Sequence, residues 1–284
     1  MQSLNINIFN SYLQQNSKQK MTKLLTFIIV IVLFSSCGQY QKVLKANEIR
    51  PKYDMAKKMY EEKKYSKAIR LFEQLAPAYR GKPEAAEMYM MYAQSFYKTK
   101  QYFAAGYQFD NFASSYPRNE MAAEASFMAA KSYSKLSPVY SLDQIDTEKA
   151  IDKFQNFIDR YPTSEFIEEA NVNVKSLREK VEKKVFEVAK GYHKIMDYKA
   201  AIVALDNFVA DYPGTPYKEE ALFYKFDSAY LLAMNSVDSK KEERLNSAKV
   251  AYKSLVKYKE DTVYKEDVAK MLTKIDSELK QFSK

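Results

Sequence analysis

The stretch Tyr102-Phe-Ala-Ala-Gly-Tyr-Gln-Phe-Asp-Asn-Phe-Ala-Ser-Ser-Tyr116-Pro117 decides the fold. From Ala105, residues Phe109, Phe112, Ala113 and Tyr116 fall at i+4, i+7, i+8 and i+11, one face of a helix with 3.6 residues per turn. Pro117 ends that helix, because the residue before a proline avoids the α region. Upstream, Tyr89, Tyr92, Ala93 and Phe96 mark a first helix, and Lys100-Gln101 makes the turn between the two. Pro83 suits the opening position of that first helix, where Glu84 and Glu87 complement its positive end.

The second-helix phrase recurs five times. Its copies are Ala68/Phe72/Leu75/Ala76, Ala105/Phe109/Phe112/Ala113, Ala150/Phe154/Phe157/Ile158, Ala201/Leu205/Phe208/Val209 and Ala248/Tyr252/Leu255/Val256. Three copies end in Tyr-Pro, at Tyr116-Pro117, Tyr161-Pro162 and Tyr212-Pro213. Self-similarity on this scale predicts stacked helix pairs, and such an array predicts a binding scaffold rather than a catalyst. Composition agrees: only 5 Gly and 8 Pro interrupt the helices, while 24 Tyr and 17 Phe supply area between them. Phe72, Phe109, Phe154, Phe157 and Phe208 therefore read as core. Asn119, Ser164 and Thr215 stand where helix caps are needed after each Tyr-Pro.

This phrase resembles the tetratricopeptide repeat. The small residue of the first helix is Ala56, Ala93, Ala130 and Ala189, followed three residues later by Phe96, Tyr133 or Tyr192, with Met59 departing in the first copy. The turn tyrosines are Tyr65, Tyr102 and Tyr198, and the third repeat has none. The expected fold class is all-α, a tetratricopeptide-type α-solenoid of about five helix pairs with one long connecting helix.

The array is uneven. Successive second-helix alanines lie 37, 45, 51 and 47 residues apart, against about 34 for the simple repeat. Leu136–Thr147 exceeds a tight turn by about eight residues on the same reckoning. From Ser164 to about Met196 no proline occurs, and Val174, Leu177, Val181, Val185, Val188 and Tyr192 recur at three- and four-residue steps. That predicts one helix of about 30 residues and 45 Å, a strut between two sub-arrays at 51–163 and 164–284.

The N-terminus reads as an address. Lys23 precedes an uncharged apolar run, Leu24–Phe34, too short to cross a bilayer, and then come Ser35, Ser36 and Cys37. Residues 1–36 read as a signal peptide, with Met21 a better start than Met1. The only cysteine stands at the cut, so no intrachain disulfide exists. Leu33-Phe34-Ser35-Ser36-Cys37 resembles the bacterial lipoprotein signal, apart from the bulky Phe34. The resemblance implies acylation of Cys37, with 37–50 as a lipidated tether. An uncleaved anchor, or a cysteine there by chance, is the alternative.

A closer resemblance rests on the interruptions. Ser137-Pro138, Asp143-Gln144, Thr147, Tyr161-Pro162-Thr163-Ser164, Leu177-Arg178, Glu187-Val188-Ala189, Tyr198-Lys199-Ala200-Ala201-Ile202 and Asp211 to Tyr217 follow one another as in the BamD-type outer-membrane assembly lipoproteins. The likeness spans about residues 37–280 and is weakest at the C-terminal end, where Ser236–Glu243 reads as a charged insertion. It implies an outer-membrane scaffold, lipid-anchored at the periplasmic face in a Gram-negative bacterium. Its partners would be unfolded outer-membrane protein C-terminal segments and the insertase's periplasmic domains. The second reading is a generic periplasmic repeat lipoprotein coordinating cell-envelope or division proteins.

Chemistry is sparse. The net charge is +9, and setting aside residues 1–37 leaves 42 basic and 36 acidic residues, too even for a nucleic-acid surface. No HExxH, GxSxG or phosphate-binding glycine loop occurs, and His193 is the only histidine. No catalysis, cofactor or metal is expected. His193 is expected either on the inner face of the array or at the surface. Glu168-Glu169 and Glu219-Glu220 read as first-turn helix charges.

Binding is therefore expected on the face of the first helices. Taking Ala56, Ala93 and Ala130 as buried references, positions three before and one, four and five beyond give a candidate peptide groove. These residues are Tyr53, Lys57 and Tyr60; Met90, Gln94, Tyr97 and Lys98; and Phe127, Lys131 and Lys135. Aromatics offer area and lysines offer charge to a C-terminal carboxylate. The substrates of the resembling family end in an aromatic residue and a free carboxylate.

Overall fold

The computed structural model describes residues 38–282, which form helices and connecting turns and no strand. A short helix, α1 (38–45), precedes five pairs. These are α2 (Ile49–Glu61) with α3 (Tyr65–Tyr79), α4 (Ala85–Lys98) with α5 (Tyr102–Ser115), and α6 (Ala122–Ser134) with α7 (Ile145–Arg160). Then follow α8 (Ile167–Lys194) with α9 (Tyr198–Asp211), α10 (Lys218–Met234) with α11 (Asp238–Tyr258), and a final α12 (Lys265–Leu279). This is the all-α helical-repeat fold expected. Two compact units divide the chain between Ala125 and Ser126, inside α6. The expected sub-array boundary at 163/164 lies within the second unit, between α7 and α8.

In each second helix the phrase faces the core. Ala68, Ala105, Ala150, Ala201 and Ala248 have no exposed surface, and Phe72, Phe109, Phe154, Phe157 and Phe208 are buried beside them. The small residues Ala56, Ala93, Ala130 and Ala189 are buried too. An alanine here lets paired helices approach while keeping helix propensity that glycine would lose.

The Tyr-Pro endings act identically in each copy. Tyr116, Tyr161 and Tyr212 are the C-cap residues of α5, α7 and α9, with φ of −125°, −128° and −123°. Each donates its backbone N–H to the phenylalanine four residues earlier, Phe112, Phe157 or Phe208. Each ring also lies within 6 Å of that same phenylalanine's ring. Asn119, Ser164 and Thr215 accept from the backbone N–H two residues on, at 2.9, 3.4 and 3.3 Å. They shape a lead-in turn ahead of α6, α8 and α10 rather than capping these helices directly.

The turns inside three pairs also repeat. Lys63, Lys100 and Met196 take φ of 58°, 61° and 64°. The following N–H groups, of Lys64, Gln101 and Asp197, reach back to the carbonyls of Met59, Phe96 and Tyr192 at 2.8–3.0 Å. This is the Schellman closure, built here without glycine.

The third pair replaces that turn with the 136–144 loop. Gln144 is buried and donates from Nε2 to the carbonyls of Val139 and Leu142, both at 2.9 Å. Its Oε1 accepts from Thr147 at 2.8 Å, and Thr147 meets the Ser137 hydroxyl at 2.6 Å. The loop is thus a built element.

The strut is α8, 28 residues, about 42 Å at 1.5 Å per residue. Ala170, Val174 and Leu177 bury its first half, and Phe186 and Ala189 its second, the latter in one cluster with Ala201, Leu205 and Phe208. One helix thus closes the third pair and opens the fourth. The charged insertion Ser236–Glu243 is helical from Asp238 on, where it lengthens α11 to 21 residues and ties to α12 through Lys241 and Glu278 at 2.6 Å.

The tether expectation for 37–50 needs correction over its described part. Residues 38–45 are helical, Tyr40 is buried in the first unit's core with Val43 and Leu44 against it, and its hydroxyl donates to the Lys67 carbonyl at 3.1 Å. An apolar turn beside an uncovered α3 is more stable packed than extended in water. Cys37 and the signal segment lie outside the described residues.

Candidate functional site

A ladder of polar contacts runs along the first helices of each unit. The residue after each small alanine bonds to a glutamate near the start of the next first helix. Lys57 meets Glu87 at 2.7 Å, Gln94 donates to Glu124 at 3.5 Å, Lys131 meets Glu169 at 2.7 Å and Lys190 meets Glu220 at 2.5 Å. Three rungs span 30 residues. The Lys131 rung spans 38, and the surplus matches the extra length of the 136–144 loop. Lys57 holds the Glu87 carboxyl below its usual range against the opposing effect of burial, helped by the Tyr53 hydroxyl. Burial works against the charge on Lys190, but Glu220 and Tyr224 together outweigh it and raise its pKa.

The ladder changes the groove assignment. Lys57 and Lys131 already have carboxylates, and Lys131 also lies over the Phe127 ring at 5.3 Å. Tyr53 is buried, stacks on Tyr79 at 5.1 Å and donates to Glu87 at 3.1 Å; its phenol pKa is pushed far up, first by burial and then by that bond. Met90 and Phe127 are only 3% and 2% exposed, and Phe127 stacks on Phe166 at 4.8 Å. They belong to the core. Residues three apart share a helix face, so the position three before a buried alanine is buried with it. Tyr60 donates to Gln94 and meets Tyr65 edge-on, as Tyr97 meets Tyr102. Lys98 and Lys135 make no ion pair among the described residues. Of the expected groove residues, those left accessible are Tyr60, Gln94, Tyr97 and Lys98 in the first unit and, separately, Lys135 in the second.

His193 occupies the place of Tyr60 and Tyr97, four residues after the small alanine, and meets the turn residue Tyr198 at 5.9 Å between ring centres. Its Nδ1 lies 3.0 Å from the Ser228 hydroxyl and its Nε2 3.3 Å from Asp227. The composition is that of a hydrolase triad, but Ser228 has no exposed surface. No substrate carbonyl can reach that oxygen, so the trio is a clamp between α8 and α10. Burial raises the Asp227 pKa, His193 lowers it and Asp267 adds to the rise, with a net upward shift. Among the described residues no group of three or more His, Cys, Asp or Glu could hold a metal ion.

A cleft absent from the sequence reading opens in the first unit between the turn after α3, α4 and α5. Its volume is about 690 Å³, and Arg80, Tyr89, Tyr107, Asn111, Phe112 and Tyr116 line it. Pro77 stands near the end of α3, the Tyr89 hydroxyl donates to the Ala76 carbonyl at 2.6 Å, and Gly81 turns the chain with φ of 83°. That turn leaves Arg80 exposed at the rim without an ion pair among the described residues, and Tyr107 is 54% exposed. Burial pushes up the Tyr116 phenol, and Arg80 works against that shift. Aromatic walls with one uncompensated guanidinium suit an aromatic group that carries a carboxylate.

Repeated helix pairs with laced first helices define a helical-repeat architecture. The family model YfiO, described as "Outer membrane lipoprotein", matches residues 45–245 and again 181–282. The chain belongs to this family, the BamD family. No curated protein matches it. Among solved structures, it is similar to a point variant of a Podosopora anserina putative kinesin light chain with nearly identical TPR-like repeats, at 12% identity and a TM-score of 0.31, over 75% of this chain and 97% of that one. A second structure of that repeat protein gives 12% identity and 0.30, over 74% and 96%. The repeat architecture is read from the chain's own helix pairs and from its family.

Proposed function

We propose that this protein is a lipid-anchored scaffold at the periplasmic face of the outer membrane. It holds C-terminal segments of unfolded outer-membrane proteins and joins the barrel-forming insertase through the insertase's periplasmic domains. Family membership supports the general role, and Cys37 behind its apolar run supports the anchor. The cleft is the observation that carries substrate binding. A terminal aromatic side chain fits among Tyr89, Tyr107 and Phe112, and its carboxylate pairs with Arg80. No hydrolytic step is involved, since the one Ser-His-Asp grouping is sealed.

The test is a titration of the full chain with a ten-residue peptide ending in phenylalanine. Arg80→Glu should weaken binding at least about tenfold, roughly 1.4 kcal/mol, and amidation of the peptide should do the same. Tyr107→Ala should weaken binding with the carboxylate intact. If these variants bind as wild type while Tyr60→Ala with Tyr97→Ala binds less, the first-helix face holds the peptide and the cleft does not.

A further inference from the structure

The first half of α8 lies beside α7, where Arg178 donates to Gln155 at 3.4 Å. Further along, the 136–144 loop takes over. Lys180 donates to the Ser137 hydroxyl at 2.7 Å, Lys183 lies over the Tyr140 ring at 4.4 Å and Lys184 donates to the Leu142 carbonyl at 2.8 Å. Beyond Lys184 this side of the helix is bare. Val188, Tyr192 and Ile195 are 56%, 38% and 72% exposed. They stand at i, i+4 and i+7, a single line down one face.

Gly191 lies on that same face, within the helix. Its φ is not positive, and an added Cβ would meet nothing within 4 Å. A glycine inside a helix is less stable than alanine, and nothing among the described residues requires it. It leaves the helix backbone open to close approach from outside.

The rim is positive. Lys184 stands one turn before Val188, and Lys183 and Lys184 meet no carboxylate among the described residues. The nearby carboxylates are occupied or turned away. Glu187 pairs with Lys194 at 3.7 Å, Asp197 accepts from the Ala200 N–H at 3.1 Å, and one oxygen of Glu182 is buried.

We infer that this face of α8 docks an amphipathic helix of a partner protein, with acidic residues flanking its apolar side. Its apolar side chains cover Val188, Tyr192 and Ile195, and its backbone comes closest at Gly191. Its carboxylates meet Lys183 and Lys184. Helix-in-groove recognition uses this i, i+4, i+7 spacing of anchors. A second copy of the chain is disfavoured, because an isologous contact would set the same lysine rim against itself.

The test places a photo-crosslinking amino acid at Val188 or Ile195 of the full chain in its own cells, with Val250, exposed on α11, as control. The joined segment is then sequenced. The expected adduct is a segment with helical apolar periodicity and an excess of Asp and Glu. Its yield should fall about fivefold when Lys183→Glu and Lys184→Glu weaken the charge match, equivalent to about 1 kcal/mol. Gly191→Ala should raise Tm by about 2–4 °C and still lower the yield, a combination that a purely structural glycine would not give. An adduct with a second copy, with lipid or with a segment lacking acidic excess overturns the assignment. So does a yield no greater than at Val250, or one unmoved by these substitutions.

Discussion

The α2–α5 region and the α6–α8 region use the same phrase to different ends. In the first, tight turns follow each first helix, rungs span 30 residues and apolar stripes are covered by the next helix. In the second, a loop lengthens the rung to 38 residues and one helix serves two pairs. That helix cannot be covered along its whole length by α7 and the loop, so part of its stripe faces water. Regular copies supply stability, and the interruption supplies a surface.

The comparison can be broken at its base. Phe72→Ala and Phe154→Ala remove rings at the same place in the phrase, and both rings have no exposed surface. Each should cost about 3–5 kcal/mol, measured by urea unfolding. A small cost at one site only would show that the two regions do not share a core register.

A smaller effect tests the loop as a built element. Gln144→Ala strips the Val139 carbonyl of its donor and leaves the Leu142 carbonyl with Lys184 alone. A loss of about 2 kcal/mol is expected, with faster amide exchange over 136–144 and little change over α2–α5. Uniform exchange across both regions would count against a locally pinned loop.

The smallest effect runs the other way. Lys100→Gly relieves a left-handed residue in a regular turn and should stabilise by about 1 kcal/mol, read as a rise in Tm. The third pair has no such residue between its helices, so no equivalent gain exists there.

The second-helix register, the Tyr-Pro caps and α8 were legible because each is written in apolar spacing along one segment. The ladder was not. Helical direction places Lys57 and Lys131 on a face, but Glu87 and Glu169 lie 30 and 38 residues further on. A lysine expected to await a ligand's carboxylate already holds the protein's own. Met90 and Phe127 were misplaced for a simpler reason, since three residues before a buried alanine is nearly the same face. The tyrosine-like place of His193 could have been found by aligning repeats on Ala56, Ala93 and Ala189. The cleft had weaker signals: Pro77 near the end of α3, Gly81 just after it, and Tyr107 off the apolar face of α5.

Tyr40 stands three residues after Cys37 and is sealed in the first unit's core. Extended chain covers at most about 3.6 Å per residue, so no more than roughly 11 Å separates the two α-carbons. With the proposed acyl chains on Cys37, the first unit would be moored rather than leashed. It could not sweep through the periplasm in search of clients. Under the proposed role, tilting it would drag the lipid along, and clients would come to a dock whose height above the bilayer barely varies.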